Sequence, residues 1–209
     1  MPYNGRVLIR VENLKKHFPI TRGFLISRQV GAVKAVDGVS FDIHEGETLG
    51  LVGESGCGKS TLGKALLRIL PASTRMTGKL WFQGQDLMTL SEREMRQVRG
   101  DKISMIFQDP MTSLNPIQKV VDHITETIQT HYPHTSEEDA RKRAAELVDR
   151  LGISTNRLDD YPHQLSGGMR QRVMIGIALA LNANLIIADE ATTSLDVIVE
   201  AQFIELLKI

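Results

Sequence analysis

The chain has 209 residues, 42% hydrophobic and 24% charged, the composition of an ordinary globular domain able to bury a core. Its 25 basic and 25 acidic side chains give a formal net charge of +0, which argues against broad electrostatic binding to nucleic acid or to an anionic membrane surface. A single cysteine, Cys57, excludes an internal disulfide framework and suits a reducing cytosol, and residues 1–10 lack the apolar core of a secretory signal.

Val7 to Val11 predicts a first strand. Residues 18–33 show no clear period and are expected to form a long loop or insertion. Val39, Phe41 and Ile43 alternate with polar neighbours, the period of a half-buried strand. Glu45-Gly46-Glu47 then turns the chain into a short apolar strand, Thr48 to Val52. Leu62, Ala65, Leu66, Ile69 and Leu70 have helical spacing up to Pro71. Leu80-Trp81-Phe82 and Ile103 to Phe107 predict further strands.

Beyond Pro110 the pattern turns helical. Ile117, Val120, Val121, Ile124 and Ile128 share one helix face. Thr135 and Glu138 form a capping-box pattern for the next helix, which carries Ala140, Ala144, Leu147, Val148 and Leu151 inward and ends at Gly152. A third helix starts near Ser166. Residues 173–188 are the most apolar stretch, too short for a membrane span and broken by Asn182 and Asn184. They predict a buried helix feeding a buried strand, Leu185 to Ala188. A helical insertion, residues 111–174, thus interrupts an α/β core.

Gly53-Glu54-Ser55-Gly56-Cys57-Gly58-Lys59-Ser60 fits G-x-x-x-x-G-K-[ST] between a predicted strand and an amphipathic helix. Glycines at these positions let successive backbone amides point at phosphate oxygens, and the helix N-terminus adds its positive end. Lys59 supplies a point charge to the β- and γ-phosphates, Ser60 a hydroxyl to magnesium, and Thr61 a phosphate contact. Asp189, at the tip of an apolar strand, suits magnesium. Glu190 is either a general base for an attacking water or a solvated residue at a strand end. Cys57, among bare amides and beside Lys59, is either a reactive thiol that nucleotide shields or an inert small residue. His131 and His134 flank a helix-ending Tyr132-Pro133 and are read as solvated loop residues.

Leu165-Ser166-Gly167-Gly168-Met169-Arg170-Gln171 places a serine N-cap before two glycines, a second anion-binding helix start in the same chain. This run is very similar to the signature sequence of ABC ATPases. The resemblance implies a P-loop NTPase (RecA-like) α/β core with an N-terminal antiparallel β part and an inserted α-helical subdomain. Residues 1–110 and 175–209 would form the nucleotide-binding core and 111–174 the helical signature subdomain of one ABC ATPase domain. It further implies ATP and Mg2+ as cofactors, and a head-to-tail dimer with a second ABC ATPase subunit whose nucleotide the signature closes on. By position, Gln108 matches the glutamine that senses magnesium and the γ-phosphate, and Ser194-Leu195-Asp196 matches the loop that crosses the dimer interface. Phe18 matches the aromatic that stacks on adenine, although a core role fits it equally.

Phe107-Gln108-Asp109-Pro110-Met111-Thr112-Ser113-Leu114-Asn115-Pro116 resembles the corresponding region of dipeptide, oligopeptide and nickel importers, as do Tyr161-Pro162-His163-Gln164 and the insertion after Phe18. This implies a peripheral ATPase on the cytoplasmic face of the inner membrane, docked on integral-membrane permease subunits, with no nucleic-acid partner. Alternatives are a soluble ABC ATPase without a permease, or a nucleotide-binding module without efficient turnover. The sequence departs from the family in two places. Ala191 stands where many relatives have proline. None of the six histidines follows Asp189, so the family's switch histidine and the last core strands are absent. The chain is therefore expected to be incomplete at its C-terminus, slow in turnover and poorly soluble.

Overall fold

The computed structural model describes residues 5–22, 28–71, 74–108 and 114–191, together with 197, 200, 201 and 204. Two compact units divide the chain, Met1–Arg96 and Gln97–Ile209. Each is described in turn.

In Met1–Arg96 the framework is an antiparallel sheet in the order β2-β1-β3-β4, formed by β1 (Val7–Arg22), β2 (Arg28–His44), β3 (Arg75–Phe82) and β4 (Gln85–Asp86). Of the long loop expected over 18–33, residues 18–22 and 28–33 instead form the distal part of β1 and β2, paired through Phe18↔Val33, Pro19↔Ala32, Ile20↔Gly31 and Arg22↔Arg28, and 23–27 lie outside the described residues. Its side chains do not alternate between core and water: Ile20, Val30 and Val33 are 47%, 59% and 54% exposed. Cross-strand hydrogen bonds sustain this ladder without a buried face, so periodicity could not reveal it.

β1 is bulged between Glu12 and Lys15, where Asn13 takes φ 47° and its amide donates to Ser40 Oγ at 2.8 Å. Opposite, Gly78 of β3 has φ 106°, and a Cβ there would meet Asn13 O at 2.5 Å and Leu14 Cα at 2.7 Å. A glycine is therefore required on both conformational and steric grounds. Ile9, Val11, Leu14, Leu80 and Phe82 are buried, each contributing about 2 kcal/mol by leaving water. Helix α1 (Lys59–Leu66) packs on β1 and β2 through a face that includes Leu62, Ala65 and Leu66. Helix α2 (Glu92–Val98) follows β4; Ser91 caps it, with Glu94 Oε2 accepting from the Ser91 amide at 2.7 Å.

The strand expected over Thr48–Val52 is not formed: among the described residues no ladder pairs this segment, and Leu49, Leu51 and Val52 are 47%, 53% and 90% exposed. A strand is a pairing and not a local property, so an apolar run alone does not make one.

In Gln97–Ile209, β5 (Ile103–Ile106) pairs in parallel with β6 (Leu185–Ala188), and α3 (Val120–His131), α4 (Glu137–Arg150) and α5 (Gly167–Leu179) pack on one another. Ile124, Ile128, Ala140, Ala144, Leu147, Val148, Val173 and Met174 belong to one core, and Ile106, Leu151, Ile175, Ala178 and Ala191 to a second. β6 is only half-buried, with Ala188 exposed, because β5 alone pairs with it among the described residues; the expectation of a buried strand there is corrected.

Two helix starts differ from expectation. Helix α3 begins at Val120, where the amides of Val120 and Val121 donate to the carbonyls of Asp160 and Leu158; Ile117 lies before it, 81% exposed. Helix α4 is capped by Ser136 Oγ, which accepts from Asp139 N at 3.1 Å, one residue beyond the expected Thr135. Thr135 is taken up in a turn, its amide donating to Tyr132 O. The end of α4 is as predicted: Gly152 has φ 68°, and Ile153 N donates to Val148 O at 2.8 Å.

Candidate functional site

The glycine-rich loop lies in Met1–Arg96. Gly53 to Cys57 are exposed, and Gly56 and Gly58 have φ 80° and 105°, conformations that only glycine adopts without strain. Gly58 is the N-cap of α1 and lies against the carbonyl of Ala35 on β2, an approach that any Cβ would block. Gly53 lies under Cys57, whose Sγ would be 2.6 Å from an added Cβ. Lys59 Nζ donates to Gly53 O at 2.8 Å and to Glu54 O at 2.9 Å, and lies 4.0 Å from Cys57 Sγ. The ammonium thus gathers the loop around itself at the amino end of α1. Ser60 and Thr61 follow in the first turn, both partly accessible. Phe18 is partly buried and pairs with Val33, two residues from Ala35, so the hairpin that carries Phe18 also touches the loop through Gly58.

The carboxylates lie in Gln97–Ile209. The ladder continues past β6: Asp189 N donates to Ile106 O at 3.0 Å, and Asp189 is 9% exposed. Glu190 then turns sharply, at φ 52°, and its exposed carboxylate accepts from Gln108 Nε2 at 2.6 Å. Two residues 82 apart in sequence, each singled out by position, therefore meet at the ends of adjacent parallel strands.

The signature run opens α5. Ser166 is its N-cap, with Oγ accepting from Met169 N at 3.3 Å, and Gly167 has no atom within 4 Å of a would-be Cβ. Leu165 anchors the run, buried in the core of α3, α4 and α5. Three consecutive side chains further along α5 each reach a different segment: Arg170 to Pro162 O at 3.3 Å, Gln171 to Ala191 O at 2.8 Å and Arg172 to Gly152 O at 2.9 Å. The inward role of Gln171 was not read from the sequence, although its spacing with Met174, Ile175 and Ala178 puts it on an inward helix face. Ser194, Leu195 and Asp196 lie outside the described residues, as do Asp109 to Ser113 of the importer-like run.

A glycine-rich loop feeding Lys59 into a helix, and an Asp-Glu pair closing a parallel strand, define a P-loop NTPase of the cassette type. The family profile described as ABC transporter matches residues 36–193, and the chain belongs to that family. The oligopeptide transport ATP-binding protein OppD of Bacillus subtilis (strain 168) is 51% identical over 182 residues, which are 85% of this chain and 51% of that protein. The oligopeptide transport ATP-binding protein AppF of the same organism is 45% identical over 205 residues, 98% of this chain and 61% of that protein. The chain thus spans less than two thirds of the length of either relative. The solved dimeric structure of the ATP-binding cassette MJ0796, in a post-hydrolysis state bound to ADP and Pi, matches with a TM-score of 0.82 at 28% identity, over 95% of this chain and 81% of that one.

Proposed function

We propose that this chain binds ATP with magnesium and hydrolyses it to drive a membrane permease that imports di- or oligopeptides. The observation that carries the reading is the presence in one chain of two glycine-bared helix starts, Gly58 at α1 and Ser166-Gly167-Gly168 at α5. A single nucleotide needs one such loop, so the second suits the nucleotide of a partner subunit in a head-to-tail dimer.

The amides of Gly53 to Ser60 and the hydroxyl of Thr61 would cradle the phosphates, with Lys59 leaving its loop carbonyls for the β- and γ-phosphate oxygens. Ser60, Gln108 and Asp189 offer hydroxyl, amide and carboxylate oxygens, the donor set a hard cation takes. Magnesium bound there would neutralise charge on the phosphates. Glu190 would polarise the attacking water, with Gln108 orienting its carboxylate through the 2.6 Å hydrogen bond. Leu165 to Gln171 would present α5 to the partner's nucleotide, Ser194, Leu195 and Asp196 would line the shared interface, and Phe18 would stack on adenine.

Peptide import is supported by the names of the two relatives, both oligopeptide transport ATP-binding proteins. Among the described residues no helix is long and apolar enough to cross a membrane. Attachment to the cytoplasmic face of the membrane would pass through permease subunits.

The test is Mg-ATP binding and turnover by the unaltered chain beside Lys59→Ala. The variant is expected to lose about a hundredfold or more in turnover and to bind nucleotide at least about tenfold more weakly, with its fold retained by circular dichroism. Equal binding by both chains would remove the loop from the site. Binding without turnover in the unaltered chain would replace hydrolysis by a nucleotide-binding role.

A further inference from the structure

Gln171 is 0% exposed, an uncharged polar side chain wholly inside the unit on the first turns of α5. Its Nε2 donates to Ala191 O at 2.8 Å, while its Oε1 has no hydrogen-bond partner among the described residues. The amide orientation is settled by chemistry, since flipping it would set two oxygens against each other. The side chain therefore makes one directed bond in the interior, to the carbonyl that follows Glu190.

That carbonyl matters because of the turn before it. Glu190 holds φ 52°, a left-handed conformation that a glutamate leaves unless its flanks are held. One flank is held by the ladder bond from Asp189 N to Ile106 O, and the other by the bond from Gln171 to Ala191 O. Between them the Glu190 carboxylate meets Gln108 Nε2 at 2.6 Å.

We propose that Gln171 is a positioning residue that fixes the turn at Glu190 and so sets the hydrolytic carboxylate against Gln108, tying the helix opened by the signature run to the carboxylate of the same chain. The inference rests on the proposed function for its catalytic consequence, and on the geometry alone for its structural one. A displacement of α5 at its amino end carries Gln171 with it, since Gln171 lies five residues after the N-cap Ser166. The Ala191 methyl is also buried, in a cluster with Ile106, Leu151, Ile175 and Ala178, so the turn has an apolar anchor that survives loss of the hydrogen bond. Removing the donor should therefore release the carboxylate without unfolding the chain.

The test is Gln171→Met, which keeps the volume and shape of the side chain and deletes the donor. Turnover, KM for ATP and thermal midpoint are measured for both chains. Ala191-Thr192 is the one Ala-Thr pair in the sequence, so labelling alanine with 13C at the carbonyl and threonine with 15N isolates the Ala191 carbonyl signal. The expected result is a kcat about tenfold lower, with KM within about twofold, an unchanged or higher midpoint because the unpaired Oε1 is gone, and an upfield-shifted Ala191 carbonyl. An unmoved carbonyl signal overturns the proposal. So does a parallel fall of kcat, nucleotide affinity and thermal midpoint, which marks a merely structural residue. If the unaltered chain binds ATP but does not hydrolyse it, the hydrolytic reading fails by itself, and the carbonyl signal alone then decides the positioning claim.

Discussion

Charge in Gln97–Ile209 is concentrated in a few directed contacts, of which Tyr132 to Asp101 is the most testable. Tyr132 Oη, just past the end of α3, donates to Asp101 Oδ1 at 2.6 Å, and Lys102 Nζ lies 3.1 Å from Asp101 Oδ2. Burial pushes the Asp101 carboxyl up, but the hydrogen bond from Tyr132 and the contact with Lys102 outweigh it and leave Asp101 below the usual carboxylate range. A carboxyl depressed in the folded state contributes stability above its unfolded pKa, about 3.9, and loses that contribution as pH falls through the lower folded value. Tyr132→Phe is therefore expected to cost about 0.5 kcal/mol at pH 7, the small figure reflecting the exposure of Tyr132. The difference from the unaltered chain should shrink steadily as pH falls below about 4. Urea unfolding at several pH values checks it, and a difference that grows on acidification would refute the linkage. At this scale the sequence was informative about local placement: Lys59 opens α1, Ser166 caps α5 and Asp189 lies at the end of β6. It was silent on the left-handed turn at Glu190, because φ at a non-glycine residue is imposed by the segments on either side.

Among the elements, the three-stranded core of the N-terminal sheet turns on the bulge at Glu12–Lys15 and the glycine that faces it. Gly78 and Gly84 both have positive φ, 106° and 83°, but a Cβ at Gly78 would strike Asn13 O and Leu14 Cα whereas one at Gly84 would meet nothing within 4 Å. Gly84→Ala should therefore cost only the conformational strain, about 1 kcal/mol, while Gly78→Ala should add a backbone clash and cost about 3 kcal/mol in total. Chemical denaturation of the two variants separates the terms, and equal losses would show that β1 yields at the bulge. The same contrast explains what was legible. Helices α3 and α4 were readable because their hydrogen bonds are local and their apolar spacing reports the packed face, and α5 was readable from its serine cap and the apolar run that follows. Capping was readable only to within a residue, since Thr135 and Ser136 are both competent caps and the turn from Tyr132 decides between them. The distal part of the β1–β2 hairpin was not readable, because Phe18↔Val33 and Ile20↔Gly31 are pairings between chain segments that leave no buried stripe in either one. Thr48–Val52 was misread for the converse reason, an apolar run with no partner strand among the described residues.

For the molecule as a whole, the decisive question is whether the loop at α1 and the signature at α5 serve the same nucleotide in one chain or different nucleotides in two. Motif spacing could reveal both helix starts but not their partners, because spacing along one chain carries no information about contacts between chains. Two chains with complementary defects answer it. Lys59→Ala removes the loop's ammonium, and Ser166→Arg fills the open N-terminus of α5, where Gly167 has free space beside it. Each alone should lose turnover. In a head-to-tail dimer of one chain of each kind, one composite site joins Lys59→Ala to Ser166→Arg and is doubly defective. The other joins the intact loop of the second chain to the intact signature of the first. Random mixing makes about half of the dimers mixed, each with one of two sites restored, so equal parts of the variants should recover roughly a quarter of the unaltered Mg-ATP turnover at the same total protein concentration. Recovery should fall on dilution, as association does. If loop and signature act on one nucleotide within a single chain, no site in any mixture is intact and turnover stays at the level of the separate variants, whatever the concentration.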